Sequence, residues 1–192
     1  QKVDAINTIA IGYLAYTGGD NSIAIGANTY TTADNQVVIG DANITETNLQ
    51  GVLNVPMHAV IDGITVGQGA GNVVTNSAIG VSTLAANTTG SNNTAIGNSA
   101  LSSNTDGTRN TASGTRALRD NSTTNNNTAT GFQALMNSTG NDNTAQGSNA
   151  LLGNLAGSQN TASGYTSLSQ NTTGSGNSAF GNFAGQDITT GS

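Results

Sequence analysis

The chain has 192 residues, no cysteine, no tryptophan and only 7% charged residues, for a net charge of −6. Without cysteine there is no disulfide or thiolate chemistry, and four Lys and Arg are too few for the basic patch that nucleic-acid binding needs. No apolar run approaches the roughly 20 residues that cross a bilayer, so no membrane insertion is expected in this segment.

Residues 1–40 carry a short period. Gly12, Gly26 and Gly40 stand at steps of 14. Each closes a triplet: Ile9-Ala10-Ile11, Ile23-Ala24-Ile25 and Val37-Val38-Ile39. Side chains alternate faces along a strand, so each triplet predicts a short strand. The section, richer in apolar residues, reads as a solenoid coil with short turns and a fuller core.

Residues 41–72 break the period and predict a connector. They hold the only proline, Pro56, the only histidine, His58, and Met57. Strands are expected at 52–55, 59–61 and 64–66, with a turn at Asp62-Gly63. Gly67, Gly69 and Gly71 predict a flexible or tightly turning joint, and their spacing is wrong for a dinucleotide fingerprint. Asp41-x-Asn43-x-Thr45-Glu46 lacks the sixth-position glycine of a calcium loop, so an Asp/Asn turn is expected there and no metal. His58 near Asp62 lacks a nucleophile motif and an oriented triad. It reads as a joint residue, and the chain is not expected to be an enzyme.

Residues 73–192 carry a longer repeat, Asn-Thr-Ala-x-Gly followed by Ala-Leu. Its glycines are Gly80, Gly97, Gly114, Gly131, Gly147, Gly164 and Gly181, at steps of 17, 17, 17, 16, 17 and 17. A period this short excludes helix-pair repeats and specifies a β-solenoid. The alanine is fixed as Ala78, Ala95, Ala112, Ala129, Ala145, Ala162 and Ala179. The next position varies as Ile79, Ile96, Ser113, Thr130, Gln146, Ser163 and Phe180. The alanine column is therefore expected to be packed and the variable column to meet solvent. A second strand is expected at Ala-Leu, with Leu84, Leu101, Leu118, Leu135, Leu151 and Leu168 as the interior. Turns of Asn-Thr-Thr-Gly type are expected at 87–90, 104–107, 137–140 and 171–174. Thr124 takes the glycine slot in one coil, with Asn125 as its positive-φ substitute. The single 16-residue step falls in a turn, because Leu135 is one residue nearer its Gly140 than Leu101 is to Gly107. Seven long coils at the strand spacing of about 4.8 Å span roughly 34 Å, and three short ones roughly 14 Å.

Hydrophobic residues are 34% of the chain and aromatics 4%. A long coil offers one Leu, worth roughly 1.5–3 kcal/mol on burial, and a few Ala. A homo-oligomer is therefore expected, with the Ala or the Leu face contributing to the subunit contact.

The Asn-Ser-Ile-Ala-Ile-Gly at 21–26, with its 14-residue glycine steps, closely resembles the head repeat of YadA-like trimeric autotransporter adhesins. Residues 76–184 resemble a variant found in phage tail fibres and related bacterial surface fibres. The resemblance implies a left-handed parallel β-roll (β-solenoid), an intimately packed homotrimer, extracellular display, and attachment to a host or surface receptor, a glycan among the candidates. The family's neck and membrane anchor do not occur in this segment, and no signal peptide is read at Gln1. The 41–72 connector tilts the expectation toward the tail fibre of a virion or injection system, with the cell-anchored adhesin head as the alternative.

No cofactor and no metal are expected. For receptor contact the sequence offers Arg116, Gln146, Tyr165 and Phe180. Arg109, Arg116 and Arg119 hold three of the four basic charges and suit an anionic sugar, although a surface pair with Asp106 or Asp120 is the commoner use of such residues. An ice-binding β-solenoid is the competing reading from another class. The irregular column Ser113, Thr130, Gln146, Ser163, Phe180 argues against it.

Overall fold

The computed structural model describes residues 6–40, 58–61 and 64–191, and the chain divides into two compact units, Gln1–Asn54 and Val55–Ser192. The described residues are all-β apart from one 3-10 turn at Ala70–Asn72. The expected strand at 52–55, the turn at Asp62-Gly63 and the Asp/Asn stretch at 41–46 lie outside the described residues.

The first unit holds β1 (Ile9–Ile11), β2 (Tyr16–Thr17), β3 (Ile23–Ile25), β4 (Tyr30–Thr31) and β5 (Val37–Ile39). β1, β3 and β5 form one parallel sheet, and β2 and β4 another. Ile9 faces Ile23 and Ile23 faces Val37, so the 14-residue period is the coil register. The interior is not the one expected. Ala24, Thr17, Ser22, Thr29 and Thr31 are buried, whereas Ile9, Ile11, Ile25, Val37 and Ile39 are exposed. In the central coil alternation puts Ala24 inward and Ile25 outward, and Val38 in the same register is half-buried.

The second unit opens with β6 (His58–Ile61) and β7 (Ile64–Gly67), an antiparallel hairpin. The backbone of His58 lies in β6. Seven parallel strands follow: β8 (Ser77–Gly80), β9 (Thr94–Ile96), β10 (Thr111–Ser113), β11 (Thr128–Thr130), β12 (Thr144–Gln146), β13 (Thr161–Ser163) and β14 (Ser178–Phe180). With β7 pairing antiparallel to β8, they make one nine-stranded sheet. Ala78 faces Ala95, and Ala129 faces Ala145 across the 16-residue step. The unit is a parallel β-solenoid. Between hairpin and first coil, Gly69 and Gly71 take φ of 73° and 75°. The joint turns tightly there, and Ala70 N donates to Leu84 O at 3.0 Å.

Three kinds of column fill the solenoid. The Ala column from Ala78 to Ala162 and the Leu column from Leu84 to Leu168 are fully buried, with Ala179 nearly so. Ala100, Ala117, Ala134 and Ala150 form a second buried Ala column. The third kind is asparagine. Asn93, Asn110, Asn127, Asn143 and Asn160 are buried, and so are Asn87, Asn104, Asn121, Asn154 and Asn171.

The segment carrying Leu is not a second strand. Each Leu sits in a turn with φ between 47° and 51°. A left-handed L-residue costs roughly 1–2 kcal/mol, which burial of the side chain at roughly 1.5–3 kcal/mol offsets. The turn still bonds coil to coil, with Leu101 N donating to Ala117 O at 3.1 Å and Leu118 N to Ala134 O at 3.0 Å. Because one chain covers both columns, neither the Ala nor the Leu face is free for a subunit contact, contrary to expectation.

The Asn-x-x-Gly turns differ as well. Their glycines are not at positive φ; that conformation falls two residues later, at Asn92, Arg109, Asn126, Asp142, Gln159 and Gly176. Asn125 is therefore not the substitute for the missing glycine. In the shortened coil, Ser138 takes the buried slot that Asn104 fills, since Ser138 N donates to Leu135 O as Asn104 N does to Leu101 O. The lost residue lies between Ser138 and Gly140, in the turn as expected, although the residue equivalent to Asn104 is Ser138 and not Asn137.

Candidate recognition surface

The outward face of the long sheet is built by the two positions flanking the buried Ala. The leading position is regular: Thr94, Thr111, Thr128, Thr144 and Thr161 stand opposite one another in register. The trailing position is exposed at Ile79, Ile96, Thr130, Gln146 and Phe180. Val66 faces Ile79, which faces Ile96, so three adjacent strands present exposed apolar side chains. From Ser113 to Ser163 the face is polar.

The four candidate contact residues do not form one site. Gln146 and Phe180 share a column two coils apart, and Ser163 Oγ lies 3.5 Å from Gln146 Oε1 between them. Tyr165 lies past the strand end and is packed edge-on against Phe183, with ring centroids 5.3 Å apart at 89°. Arg116 is exposed, with φ of 60°, three coils from Tyr165 and about 14 Å away along the stack.

The charges are used locally. Arg119 Nε donates to Asp120 Oδ1 at 2.8 Å and Nη2 to Oδ2 at 2.6 Å. The hydrogen bond to Asp120 raises the Arg119 pKa further. With both side chains partly exposed, such a pair is worth about 0–1 kcal/mol. Asp106 is not an arginine partner. Its Oδ1 accepts from Thr89 Oγ1 at 2.7 Å and Thr88 Oγ1 at 2.8 Å, and these bonds, Thr89 first, hold its carboxyl below the usual range. Arg109 and Arg116 form no salt bridge among the described residues. The same residues contain no group of three His, Cys, Asp or Glu placed to hold a metal, and no helix long and apolar enough to cross a membrane.

Of two further aromatic residues, the sequence reading passes over Phe132 and takes Phe183, with Ala184, only as the departure of a terminal capping coil. Phe132 and Phe183 are exposed beside the strand-end glycines Gly131 and Gly181. Aligning the coils exposes the signal. The position after the glycine reads Val81, Asn98, Thr115, Phe132, Ser148, Tyr165 and Asn182, so two rings stand in an otherwise mostly small and polar column.

Neither the comparison with curated proteins nor that with solved structures gives a match. The family model for the YadA head domain repeat matches residues 4–29 in two copies, so this stretch of the chain is built of YadA-like head repeats.

Proposed function

We propose that the chain is a structural and adhesive segment of a homotrimeric extracellular fibre, the head of a bacterial trimeric adhesin, and that it has no catalytic role. The observation that carries this reading is the coincidence of the matched repeat with an exposed apolar face. Ile9, Ile11 and Ile25 lie within residues 4–29 and point out of their own coil, and Val37 and Ile39 continue the two columns. Contiguous exposed apolar side chains of this kind mark an interaction surface. Each copy would place them against its neighbours, in left-handed β-rolls packed side by side. The partner beyond the trimer would be a host or surface receptor.

The match is to an adhesin head repeat, so the cell-anchored setting has more support than the tail fibre that the connector suggested. Full-length gene context separates the two. A C-terminal membrane barrel would mark an adhesin, and a tail-attachment domain a virion fibre. The in-register threonines favour one second reading, an ice-binding face. Its neighbouring column, with Ile79, Ile96, Gln146 and Phe180, breaks the array, and a thermal-hysteresis assay is expected to show none.

Sedimentation equilibrium tests the assembly. The wild-type chain should sediment at three times its 19.0 kDa mass. Ile25→Asp, which places a charge on the apolar face of the central strand of the three, should shift it toward monomer. A folded monomer for the wild type would overturn the trimeric reading.

A further inference from the structure

We infer that the corner carrying Phe132, Tyr165 and Phe183 is a binding site for an extended neutral oligosaccharide. This deepens the adhesive reading by naming the class of ligand.

The first observation is where the aromatic residues go. The chain has four Tyr, three Phe and no Trp. All three Phe and Tyr165 fall in the coils from Gly131 onward, and none is buried: Phe132 is 46% exposed, Tyr165 50%, Phe183 50% and Phe180 72%. The interior is filled by Ala, Leu and Asn columns and contains no ring. These side chains therefore contribute nothing to the core, and a large exposed apolar side chain is most useful where something covers it.

The second observation is spacing. Phe132 and Tyr165 occupy the same position of the repeat two coils apart, which at the strand separation is about 9.6 Å. Ser148 holds that position in the coil between them. Two rings with a small hydroxyl residue in the gap do not make the continuous dry patch that a protein interface needs at its centre. They suit a ligand that presents one apolar face to each ring and hydroxyls between, as successive pyranose rings do.

The third observation is order. Tyr165 is braced edge-on by Phe183, whose N–H also donates to Tyr165 O at 2.9 Å. Asn149 N likewise donates to Phe132 O at 2.9 Å. A ring held before the ligand arrives loses less freedom on binding.

The fourth is charge and polarity. Between Gly131 and Phe183 the only charged residue is Asp142. With Arg116 in the adjoining coil as a lone cation and no cluster of basic side chains, the corner suits an uncharged sugar better than an anionic one. Gln133 and Asn149 stand beside the rings at φ of 56° and 59°, supplying amides next to the stacking surfaces. The nearest arginine is Arg116, which holds the repeat position of Gln133 one coil earlier; Arg119 is tied to Asp120.

The test uses the full chain on an array of neutral hexose and N-acetylhexosamine oligosaccharides, with sialylated and sulfated oligosaccharides alongside. The wild type should retain at least one neutral oligosaccharide and no anionic one preferentially. Phe132→Ala and Tyr165→Ala should each weaken the retained glycan by roughly tenfold or more, and Arg109→Ala, at another corner of the coil, should leave it unchanged. Both rings are half exposed, so the melting point of either variant should match the wild type. Retention of no neutral oligosaccharide, or equal retention by the Phe132→Ala/Tyr165→Ala double variant, overturns the inference. So does a change of oligomeric state in that variant, which would assign the corner to a second copy of the chain. A monomeric chain that binds through the two rings would overturn the trimer alone. A trimer that binds no glycan would overturn this site alone.

Discussion

Gly97→Ala should lower the thermal midpoint well below that of Gly181→Ala, although the two glycines share a column and a conformation. Gly97 has φ of 126° and Gly181 of 122°, a region that L side chains rarely adopt. Either alanine therefore carries about 1–3 kcal/mol of backbone strain. The surroundings differ. A Cβ on Gly97 would stand 2.7 Å from both the carbonyl carbon and oxygen of Gly114 in the next coil, whereas one on Gly181 has nothing within 4 Å. The neighbour of Gly97 is backbone and is held: Gly114 N donates to Ile96 O at 2.8 Å. Relief requires the two coils to part at the point where they are bonded, an overpacking cost of about 1–3 kcal/mol. At about 2–4 °C per kcal/mol for a chain of this size, Gly97→Ala should melt roughly 2–12 °C below Gly181→Ala at matched concentration. In a stack where each coil touches only its neighbours, hydrogen exchange should report the loss at the Ile79, Ile96 and Ser113 strand bonds first. Equal midpoints for the two variants would mean that coil-to-coil approach does not set the glycine requirement.

How much of this was legible in the sequence depends on which residue is asked. The spacing of the glycines gives the strand register directly, because each pairing, Ala95 with Ala112 or Ala129 with Ala145, is one repeat step. A fixed small residue in a period-2 strand also marks the inward face, and Ala95 and Ala112 are fully buried. Alternation alone does not say which face is the core. In Ile23-Ala24-Ile25 hydrophobicity alone favours Ile, yet Ala24 is buried and Ile25 exposed. The Leu column was legible as apolar but not as left-handed, since propensity gives no reason to place Leu at φ near 49°. One Asn column was read as turn residues and the other as the head of the Asn-Thr-Ala-x-Gly strand, and neither as interior, because Asn is mostly exposed in proteins. Inside this solenoid the coil corners turn backbone N–H and C=O groups inward, and only a side chain with both donor and acceptor can satisfy them. The aromatic corner was half legible. Tyr165 stood out alone, but its partnership with Phe132 and Phe183 is a property of the stack, visible only once the coils are superposed.

The asparagines lead to the last expected result: Asn110→Leu should destabilise the solenoid by about 1.5–4.5 kcal/mol, while Asn98→Leu one coil earlier stays within about 0.5 kcal/mol. Asn110 is fully buried and serves two coils. Its Nδ2 donates to Thr124 O at 2.7 Å, and its Oδ1 accepts from Asn127 N at 3.0 Å. The pattern repeats at Asn93, whose Nδ2 donates to Gly107 O at 2.8 Å and whose Oδ1 accepts from Asn110 N at 2.9 Å. Leucine is close to asparagine in size, so no large cavity forms. It leaves the Asn127 N–H buried and unpaired, at about 1–3 kcal/mol, and takes from the Thr124 carbonyl the shorter of its two bonds, at about 0.5–1.5 kcal/mol. Asn121 Nδ2 still donates to that carbonyl at 3.4 Å. Asn98 is exposed and bonds only to the neighbouring Ser99 Oγ at 2.9 Å, so its loss is an ordinary surface change. Chemical denaturation of both variants reads the difference as a shift in midpoint at constant slope. Against a total stability of about 5–15 kcal/mol, the loss at Asn110 is large enough to unfold the flanking coils. If Asn110→Leu instead matched or exceeded the wild type, burial of apolar volume would outweigh the hydrogen bonds, and the Asn ladder would be dispensable to the fold. The expected loss follows from the hydrogen-bond accounting. The apolar columns offer one Leu and two Ala per coil, and the corner backbone groups are paired by the two asparagine columns, as Gly107 O is by Asn93 Nδ2 and Asn104 Nδ2.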